Sequence, residues 1–459
     1  MERSKIHFSI SFFILNKTPL PFHLDIFLST FRKRFFMTTN KKIIVIGGGF
    51  AGVQLVKSLD ENLFDILLID KFNHHQFQPL FYQVATSQLE PSSISFPLRN
   101  IFKHKHGLQI RLAEVTGIDV KENEIDTSIG KFSYDYLVIA IGCTTNFFGN
   151  EMISQNVFTL KSTADAIAIR NHILLTFENI ISAKDEEKER LLNLVIVGAG
   201  PTGVELAGAF AEIKNTILPK DYPGIDFSKF KIYLIEGSKH TLNSMSDNAK
   251  TSSQEYLEKM GVILRTETYV SNYDGNELTF KDGTVIKTKT VIWAAGVIGN
   301  RLKGLPETCL LGGNRLKVNR INQVAGTENI FAVGDIANME TPKYPRGHPQ
   351  LANVAINQAK NFAANIKKII LKQPTTEFEY VDLGSMATIG RNKAVVDFPF
   401  VKLKGYFAWL IWMFLHLMLI LTAKNKLIVF INWAWAYITK DTSLRLIIKQ
   451  NKPQKNRED

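Results

Sequence analysis

The sequence predicts an α/β protein with two parallel-sheet domains, the second inserted within the first, followed by a helical C-terminal region. Three observations support this prediction. Two glycine-rich turns, at Gly47 and Gly198, each leave an apolar strand and enter a helix. The later segment NIFAVGDIA (329–337) resembles a strand of the first domain although it follows the second. Finally, residues 405–423 form a stretch of 19 residues without a charge near the end of the chain.

Composition limits the class of protein. A chain of 459 residues is long enough for two or three domains. Its 45% hydrophobic and 21% charged residues are typical of a globular protein. The two cysteines, Cys143 and Cys309, are too few for a disulfide framework. Because no Cys/His cluster accompanies them, we expect no metal site.

The formal net charge of +12 is concentrated at the two ends of the chain. Residues 1–36 contain six Lys/Arg and two acidic residues, and residues 400–459 contain ten and three. The segment between them is therefore nearly neutral. It has no basic stripe and no nucleic-acid recognition motif, so nucleic acid is not an expected partner. A cationic end beside an apolar stretch instead indicates attraction to anionic lipid headgroups.

Residues 1–40 are interpreted as a leader outside the folded protein. Met37 stands just before the first predicted strand, so we expect translation to start there and the preceding residues to be a gene-model extension. An organellar presequence is the alternative, because Arg32, Lys33 and Arg34 form a basic cluster.

The first domain begins with the pattern Gly47-x-Gly49-x-x-Gly52, which follows a run of Ile and Val. In such a pattern the first glycine permits a tight turn and the second lets the backbone approach a pyrophosphate. The third lets the helix pack closely on the strand. Asp70 ends the next strand, where a carboxylate can accept hydrogen bonds from ribose hydroxyls. The pattern therefore predicts a Rossmann-like dinucleotide-binding domain.

The pattern Gly198-x-Gly200-x-x-Gly203 repeats this architecture, with Glu236 as its acidic residue. Residues 215–230 are interpreted as an insertion that lengthens the distance from Gly203 to Glu236 beyond the usual spacing. A carboxylate here binds a ribose 2′-hydroxyl and repels a 2′-phosphate, which favours NADH over NADPH. Two dinucleotide sites in one chain indicate hydride transfer between a nicotinamide and a flavin.

The C-terminal region has two apolar stretches. The first, GYFAWLIWMFLHLMLILTA (405–423), would nearly match the hydrocarbon thickness of a bilayer as one helix. The second, Leu427–Ile438, is too short to span. Tryptophans and lysines around both are typical of a membrane interface. We expect helices lying in one face of the membrane; a single span and a helical hairpin in a soluble dimer interface are the alternatives.

Several further motifs, taken with the two glycine patterns, make the chain resemble the type II NADH:quinone oxidoreductases from about Lys41 to Thr439. These motifs are FNHHQFQPLFYQVAT (72–86), WAAGV (293–297), FAVGDIA (331–337), GHPQLANVAINQA (347–359) and LGSMATIGRNKAVV (383–396). The resemblance implies an enzyme that passes two electrons from NADH through non-covalent FAD to a membrane quinone without pumping protons. It further implies a peripheral or monotopic protein on the cytoplasmic face of the cell inner membrane, and a homodimer is a further expectation.

The resemblance also assigns residues and domains. The residues that it places at FAD are Gly47, Gly49, Phe50, Ala51, Gly52, Asp70, Lys71, Thr86 and Asp335. Those that it places at NADH are Gly198, Gly200, Pro201, Thr202, Gly203, Glu236 and Gly296. The expected domains are the leader (1–40), the FAD-binding domain (41–160 and 326–399), the NADH-binding domain (161–325) and the C-terminal membrane-anchoring helices (400–459).

Three further residues are candidates for the catalytic site on the same resemblance. Glu205 would lie near the flavin, position the nicotinamide and deliver protons to the quinone; a carboxylate that merely interacts with the helix dipole is the alternative. Asn353 and Asn357 occupy positions where the family usually has glutamine. Asparagine keeps the amide donor and acceptor but is one methylene shorter, so the quinone contacts are open, and a simple packing role is the alternative.

Rival functions remain at this point. A sulfide:quinone oxidoreductase shares the architecture but works through a cysteine pair beside the flavin, which the positions of Cys143 and Cys309 do not match. A dithiol disulfide reductase lacks support for the same reason, since no closely spaced cysteine pair follows the first glycine pattern. A non-catalytic FAD-binding redox sensor is compatible with the same motifs.

Overall fold

The structure is a computed structural model that describes residues 40–442 and 444–448. Apart from Asn40 and Lys41, these residues belong to one compact unit that begins at Lys42. The predictions for the leader, including the start at Met37, and for the last residues of the tail lie outside the described residues.

The described elements alternate between strands and helices over most of the chain. The strands are β1 (Lys41–Ile46), β2 (Phe64–Asp70), β3 (His74–Gln76), β4 (Ser95–Pro97), β5 (Leu108–Leu112), β6 (Val115–Asp119), β7 (Glu124–Thr127), β8 (Gly130–Ser133), β9 (Tyr136–Ile139), β10 (Cys143–Thr145), β11 (Phe158–Thr159), β12 (Asn193–Val197), β13 (Lys231–Ile235), β14 (Val262–Arg265), β15 (Val270–Tyr273), β16 (Glu277–Phe280), β17 (Val285–Lys287), β18 (Thr290–Trp293), β19 (Val297–Gly299), β20 (Leu316–Val318), β21 (Ile330–Ala332), β22 (Ala337–Met339), β23 (Ser385–Gly390), β24 (Lys393–Asp397) and β25 (Lys402–Lys404). The α-helices are α1 (Phe50–Ser58), α2 (Phe81–Ala85), α3 (Leu98–Ile101), α4 (Glu151–Asn156), α5 (Thr163–Ser182), α6 (Asp185–Leu191), α7 (Pro201–Thr216), α8 (Leu218–Asp221), α9 (Asp247–Lys259), α10 (Ala352–Ile370), α11 (Tyr406–Leu419) and α12 (Ala423–Thr439).

The first sheet has the order β21-β9-β1-β2-β5, and its β21–β9, β9–β1 and β2–β5 pairings are parallel. Residues 43–46 of its central strand β1 are buried, as expected for a parallel sheet covered on both faces. Its edge strand β21 comes from a segment nearly 200 residues after β9. The predicted return of the chain to the first domain is therefore confirmed.

The second sheet has the order β11-β18-β12-β13-β14 and is also parallel. It is built from the segment between the two parts of the first sheet, as the repeated glycine pattern predicts. The short strand β11 already pairs in this sheet, whereas β20 pairs with β22 outside it. The predicted insertion after α7 is the short helix α8 followed by a loop that leads to β13.

The C-terminal region forms two helices that follow the antiparallel sheet β23-β24-β25. The prediction that 405–423 forms one helix is wrong. Helix α11 ends at Leu419 because Ile420 takes an extended conformation, and α12 starts after Thr422, whose side chain accepts from the Asn425 N–H. Among the described residues, no helix is both long and apolar enough to cross a membrane.

Candidate active site

The first glycine loop forms a tight turn between β1 and α1. Gly47 has φ +105°, a conformation that favours glycine, and a Cβ there would clash with the carbonyl of Ala140. A Cβ on Gly52 would clash with the carbonyl of Gly47, so the helix can approach the strand only if this residue is glycine. Around Gly49, by contrast, there is open space next to the N-terminus of α1.

Asp70, at the end of β2, is held by the backbone of this loop. Its Oδ2 accepts the Gly48 N–H, and its Oδ1 accepts the Phe72 N–H at 2.6 Å. Burial raises the pKa of Asp70, and these two hydrogen bonds oppose the increase. The carboxylate is therefore fixed beside the open space at Gly49, where a ribose can reach it.

The residues around this space fit a dinucleotide such as FAD. The first-turn N–H groups of α1 have no side-chain cap, so they are available to a pyrophosphate. Phe50 packs edge-on against His75, with ring centroids 5.1 Å apart, and Ala51 is buried against Gly334. Both side chains therefore shape the wall of the site.

Asp335 lies near the carboxyl end of β21, in the same domain. Burial raises the pKa of its carboxyl group, while the nearby charges of Lys161 and Arg315 lower it. Arg315 Nε also donates to the Asp335 carbonyl at 3.0 Å. Lys161 and Arg315 were not predicted as site residues, because each comes from a distant part of the sequence without a motif of its own.

Two predicted flavin residues occupy different positions. Lys71 is exposed, and its Nζ lies 5.4 Å from the centroid of the neighbouring Phe72 ring. Thr86 is buried at the end of α2, where its hydroxyl donates to the Tyr82 carbonyl at 2.8 Å. Its side chain also lines a small cavity beside Arg170.

The second glycine loop repeats the geometry of the first. Gly198 has φ +103°, and a Cβ there would lie 2.7 Å from the Ala295 backbone nitrogen. A Cβ on Gly203 would clash with the Gly198 carbonyl, whereas the space around Gly200 is open. Pro201 and Thr202 form the exposed first turn of α7. Pro201 lacks an N–H, which is tolerated at this position because the first turn has no intrahelical acceptor for it.

Glu236 occupies the position in this second loop that corresponds to Asp70 in the first. Its Oε2 accepts the Ala199 N–H at 2.7 Å, and its Oε1 accepts the Ser238 N–H at 2.8 Å. Gly296 lies across the site with φ +74°, and a Cβ there would lie 3.0 Å from the Phe148 ring. The loop therefore suits a second dinucleotide, with a carboxylate at its ribose end.

Glu205 projects from α7 into a cavity of about 620 Å³. The residue is only 8% exposed, and the Thr388 N–H donates to its Oε1 at 3.4 Å. Burial raises the pKa of Glu205 to about 8, despite the opposing effects of this N–H and of the Trp412 indole. A carboxyl group with this pKa can both donate and accept a proton near neutral pH.

The cavity brings together residues from distant parts of the chain. Trp433 Nε1 donates to Gln83 Oε1 at 2.8 Å, and Gln83 Nε2 donates to the Tyr82 hydroxyl at 2.8 Å. Glu212 lines the same cavity and accepts the Arg391 N–H. Sequence reasoning missed these residues; the quoted motif 72–86 contains Tyr82 and Gln83 but does not indicate their partners.

Asn353 and Asn357 lie half-buried in the first turns of α10 and do not line this cavity. The next residue, Gln358, was not predicted. It is fully buried, and its Oε1 accepts the Gly334 N–H at 2.8 Å, which ties α10 to the turn that precedes Asp335. Gln358 Nε2 is buried without a hydrogen-bond partner.

The two cysteines are free, and their surroundings do not favour thiol chemistry. Burial raises the pKa of Cys143 to about 11, with a smaller contribution from Asp335. Burial also raises the pKa of the fully buried Cys309. Since the thiolate is the reactive form, neither residue is activated as a nucleophile.

The sequence matches two family profiles. Residues 41–359 match the pyridine nucleotide-disulphide oxidoreductases, and residues 383–440 match the NDH2 C-terminal domain. The chain is 34% identical over 414 residues to the type II NADH:quinone oxidoreductase Ndh of Mycobacterium tuberculosis, covering 87% of this chain and 88% of that protein. It is 27% identical to the mitochondrial internal alternative NAD(P)H-ubiquinone oxidoreductase A1 of Arabidopsis thaliana, covering 86% and 84%.

Solved structures share the fold. The structure of NDH2 from Plasmodium falciparum in complex with NADH superposes with a TM-score of 0.83 at 23% identity, covering 89% of this chain and 100% of that one. The sulfide:quinone oxidoreductase of Aquifex aeolicus gives a TM-score of 0.66 at 20% identity, covering 89% and 96%. At these identities the likeness concerns the fold alone.

Proposed function

The chain belongs to the type II NADH:quinone oxidoreductases, and we propose that it transfers two electrons from NADH through FAD to a quinone without pumping protons. The observation that carries this proposal is a repeated geometry. Asp70 is held by the N–H groups of Gly48 and Phe72, and Glu236 is held in the same way by Ala199 and Ser238. One chain thus has two loops suited to dinucleotides, as a hydride transfer between two of them requires.

The first loop would hold FAD without a covalent bond. When bound, the flavin supplies the chemistry that converts hydride transfer from NADH into two-electron reduction of a quinone. The N–H groups at the start of α1 would bind the pyrophosphate, and Asp70 would bind the adenosine ribose. Asp335 would bond the ribityl hydroxyls. Lys71 and Thr86 are proposed as further flavin contacts.

The second loop would hold NADH. The first turn of α7, with Gly200, Pro201 and Thr202, would bind the pyrophosphate, and Glu236 would bind the 2′-hydroxyl of the ribose. Gly296 would leave room for the nicotinamide beside Phe148. The presence of NADH in the structure of the Plasmodium falciparum protein supports this assignment.

The quinone would enter the cavity that contains Glu205. Its walls are mostly apolar, as expected for a lipid-soluble substrate, and include the indoles of Trp409, Trp412 and Trp433. Glu205 would hold a proton at the closed end of the cavity for transfer to the reduced quinone. Asn353 and Asn357 on α10 do not line this cavity, so we propose that they contact the part of the quinone that lies outside it.

A membrane surface would provide the quinone. Helices α11 and α12 expose large apolar side chains on one region of the protein, namely Tyr406, Phe407, Leu410, Phe414, Met418, Leu419, Leu427, Phe430, Ile431, Trp435, Tyr437 and Ile438. The exposed Lys404, Lys424 and Lys440 are suited to anionic headgroups. We propose peripheral attachment through this surface to the cytoplasmic face of the cell inner membrane, with a homodimer as the assembled form.

The proposed domains follow these sites. Residues 41–160 and 326–399 form the FAD-binding domain, 161–325 the NADH-binding domain and 400–459 the membrane-anchoring region.

Steady-state oxidation of NADH by the purified protein with a soluble quinone tests the proposal. We expect quinone-dependent turnover that sulfide cannot replace as electron donor. Bound FAD without any turnover would favour a redox sensor instead.

A further inference from the structure

The stoichiometry of the proposed reaction requires a route for protons. Hydride transfer from NADH supplies two electrons and one proton, whereas reduction of a quinone to a quinol takes two electrons and two protons. The balanced reaction is NADH + H⁺ + quinone → NAD⁺ + quinol. One proton per turnover must therefore come from water and reach a buried site.

Glu205 lies at the closed end of the cavity and cannot collect this proton directly. The residue is 8% exposed, and its neighbours Tyr82, Thr388 and Trp412 are buried as well. The proton must therefore reach Glu205 through other groups or water in the cavity.

Glu212 occupies such a position. It follows Glu205 by seven residues, so both lie on the same face of α7, about 10 Å apart along the helix axis. Both side chains line the same cavity. Near Glu212 the lining residues Asn215 and Thr216, at the end of α7, and Asp441, after α12, are exposed. The cavity therefore opens to solvent at the Glu212 end.

The surroundings of Glu212 act on the pKa of its carboxyl group in opposite directions. The Arg391 backbone N–H donates to its Oε1. The Arg391 guanidinium lies over the Tyr437 ring, 4.0 Å from the ring centroid. Burial raises the pKa of Glu212, and the Arg391 N–H and the charges of Lys393 and Arg391 lower it. Burial is the larger effect, so the pKa of Glu212 lies above its ordinary value.

Tyr82 provides a buried polar group near both carboxyl groups. Its buried hydroxyl accepts the Gln83 Nε2–H at 2.8 Å, and both Glu205 and Glu212 act on it electrostatically. The cavity leaves room for water molecules, which together with this hydroxyl would bridge the distance between the two carboxyl groups.

We propose that Glu212 is the proton-uptake residue of quinone reduction: it takes a proton from water at the open end of the cavity and passes it through cavity water and Tyr82 to Glu205. The proposal rests on the proposed function. Glu205 gives its proton to the reduced quinone and is reprotonated from Glu212, which is reprotonated from solvent.

Stopped-flow measurement of the two half-reactions in Glu212→Gln tests this route. We expect flavin content and the rate of flavin reduction by NADH to stay at the wild-type values. Flavin reoxidation by a soluble quinone should slow about 100-fold, the lower end of the contribution of a positioned acid–base group. Proton uptake, followed with a pH-indicator dye in weak buffer, should slow in step with it. Glu212→Asp should keep most of the rate, and formate should rescue Glu212→Ala.

Glu178→Gln is the matched control, because Glu178 also accepts a side-chain hydrogen bond, from Tyr222 at 2.8 Å, but lies outside the cavity. Wild-type rates of reoxidation and proton uptake in Glu212→Gln would overturn the proposal. If formate does not rescue Glu212→Ala and Glu212→Asp is as slow as Glu212→Gln, the role of Glu212 is structural. That result would also overturn the proposal. Failure of the proposed function can be distinguished from failure of this proposal, because the wild-type protein itself would then show no flavin reoxidation by quinone.

Discussion

Glu236 Oε2 accepts the backbone N–H of Ala199 at 2.7 Å, which fixes the carboxylate beside the second glycine loop. The other oxygen, Oε1, accepts the Ser238 N–H, so both carboxylate oxygens are held at the expected position of the ribose. We propose that this carboxylate lets the protein distinguish NADH from NADPH.

The first prediction concerns this discrimination. Glu236→Gln removes the charge that repels a 2′-phosphate, so the ratio of kcat/KM for NADH to that for NADPH should fall about tenfold, equivalent to about 1.4 kcal/mol. Steady-state kinetics with both nucleotides measures this ratio. The exposed Glu255→Gln on α9 is the control and should leave it unchanged. An unaltered preference in Glu236→Gln would refute the role of this carboxylate.

The second prediction separates the two glycine loops. A Cβ at Gly49 or Gly200 meets no protein atom, so both alanine variants should fold normally. A methyl group at either position would instead press on the bound pyrophosphate. Gly49→Ala should lose FAD during purification, whereas Gly200→Ala should keep FAD and show a raised KM for NADH. Each variant is the control for the other, and the opposite pattern would exchange the two assignments.

Only part of the site could be predicted from the sequence. The glycine loops and their acids were readable from the sequence because strand, turn, helix and acid lie within one local unit. The cavity was not, since Trp433 and Gln83 are 350 residues apart and meet only in the folded chain. The end of α11 was also missed, because hydrophobicity continues through Ile420 although the backbone becomes extended there.

The third prediction concerns the protonation of Glu205. Its pKa is raised to about 8 by burial, so the protonated form donates below that pH and the rate of quinone reduction should fall as pH rises through about 8. The raised pKa also means that the folded state loses stability as pH rises from the ordinary value of 4.5 towards 8. Glu205→Gln should remove both dependences: its Tm should exceed that of the wild type at pH 8 but not at pH 4.

Flavin absorbance and thermal unfolding across this pH range measure these effects. Glu205→Gln should retain FAD and turn over at least about 100-fold more slowly. A wild-type pH profile in the variant would show that another group delivers the proton.

The fourth prediction concerns membrane attachment. Removing everything from Lys404 onwards would also remove Trp412 and Trp433, which are buried against the rest of the protein, so release from membranes by that deletion would be ambiguous. The double variant Phe407→Glu/Phe414→Glu changes side chains that are 71% and 60% exposed. It should lose sedimentation with anionic vesicles while keeping NADH oxidation with a soluble quinone.

Leu112→Glu is the control for this variant, because Leu112 is 57% exposed on an edge strand of the first sheet, outside the proposed membrane surface. It should sediment with vesicles as the wild type does. Equal sedimentation of the double variant would place the attachment surface elsewhere.

An anaerobic titration of the purified protein, with the flavin spectrum recorded after each addition, tests the proposed electron path from donor to acceptor. We predict that one equivalent of NADH bleaches the flavin and that one equivalent of a ubiquinone or menaquinone analogue then restores its absorbance. Bleaching by sulfide but not by NADH, or a flavin that NADH bleaches and no quinone restores, would contradict the proposed function.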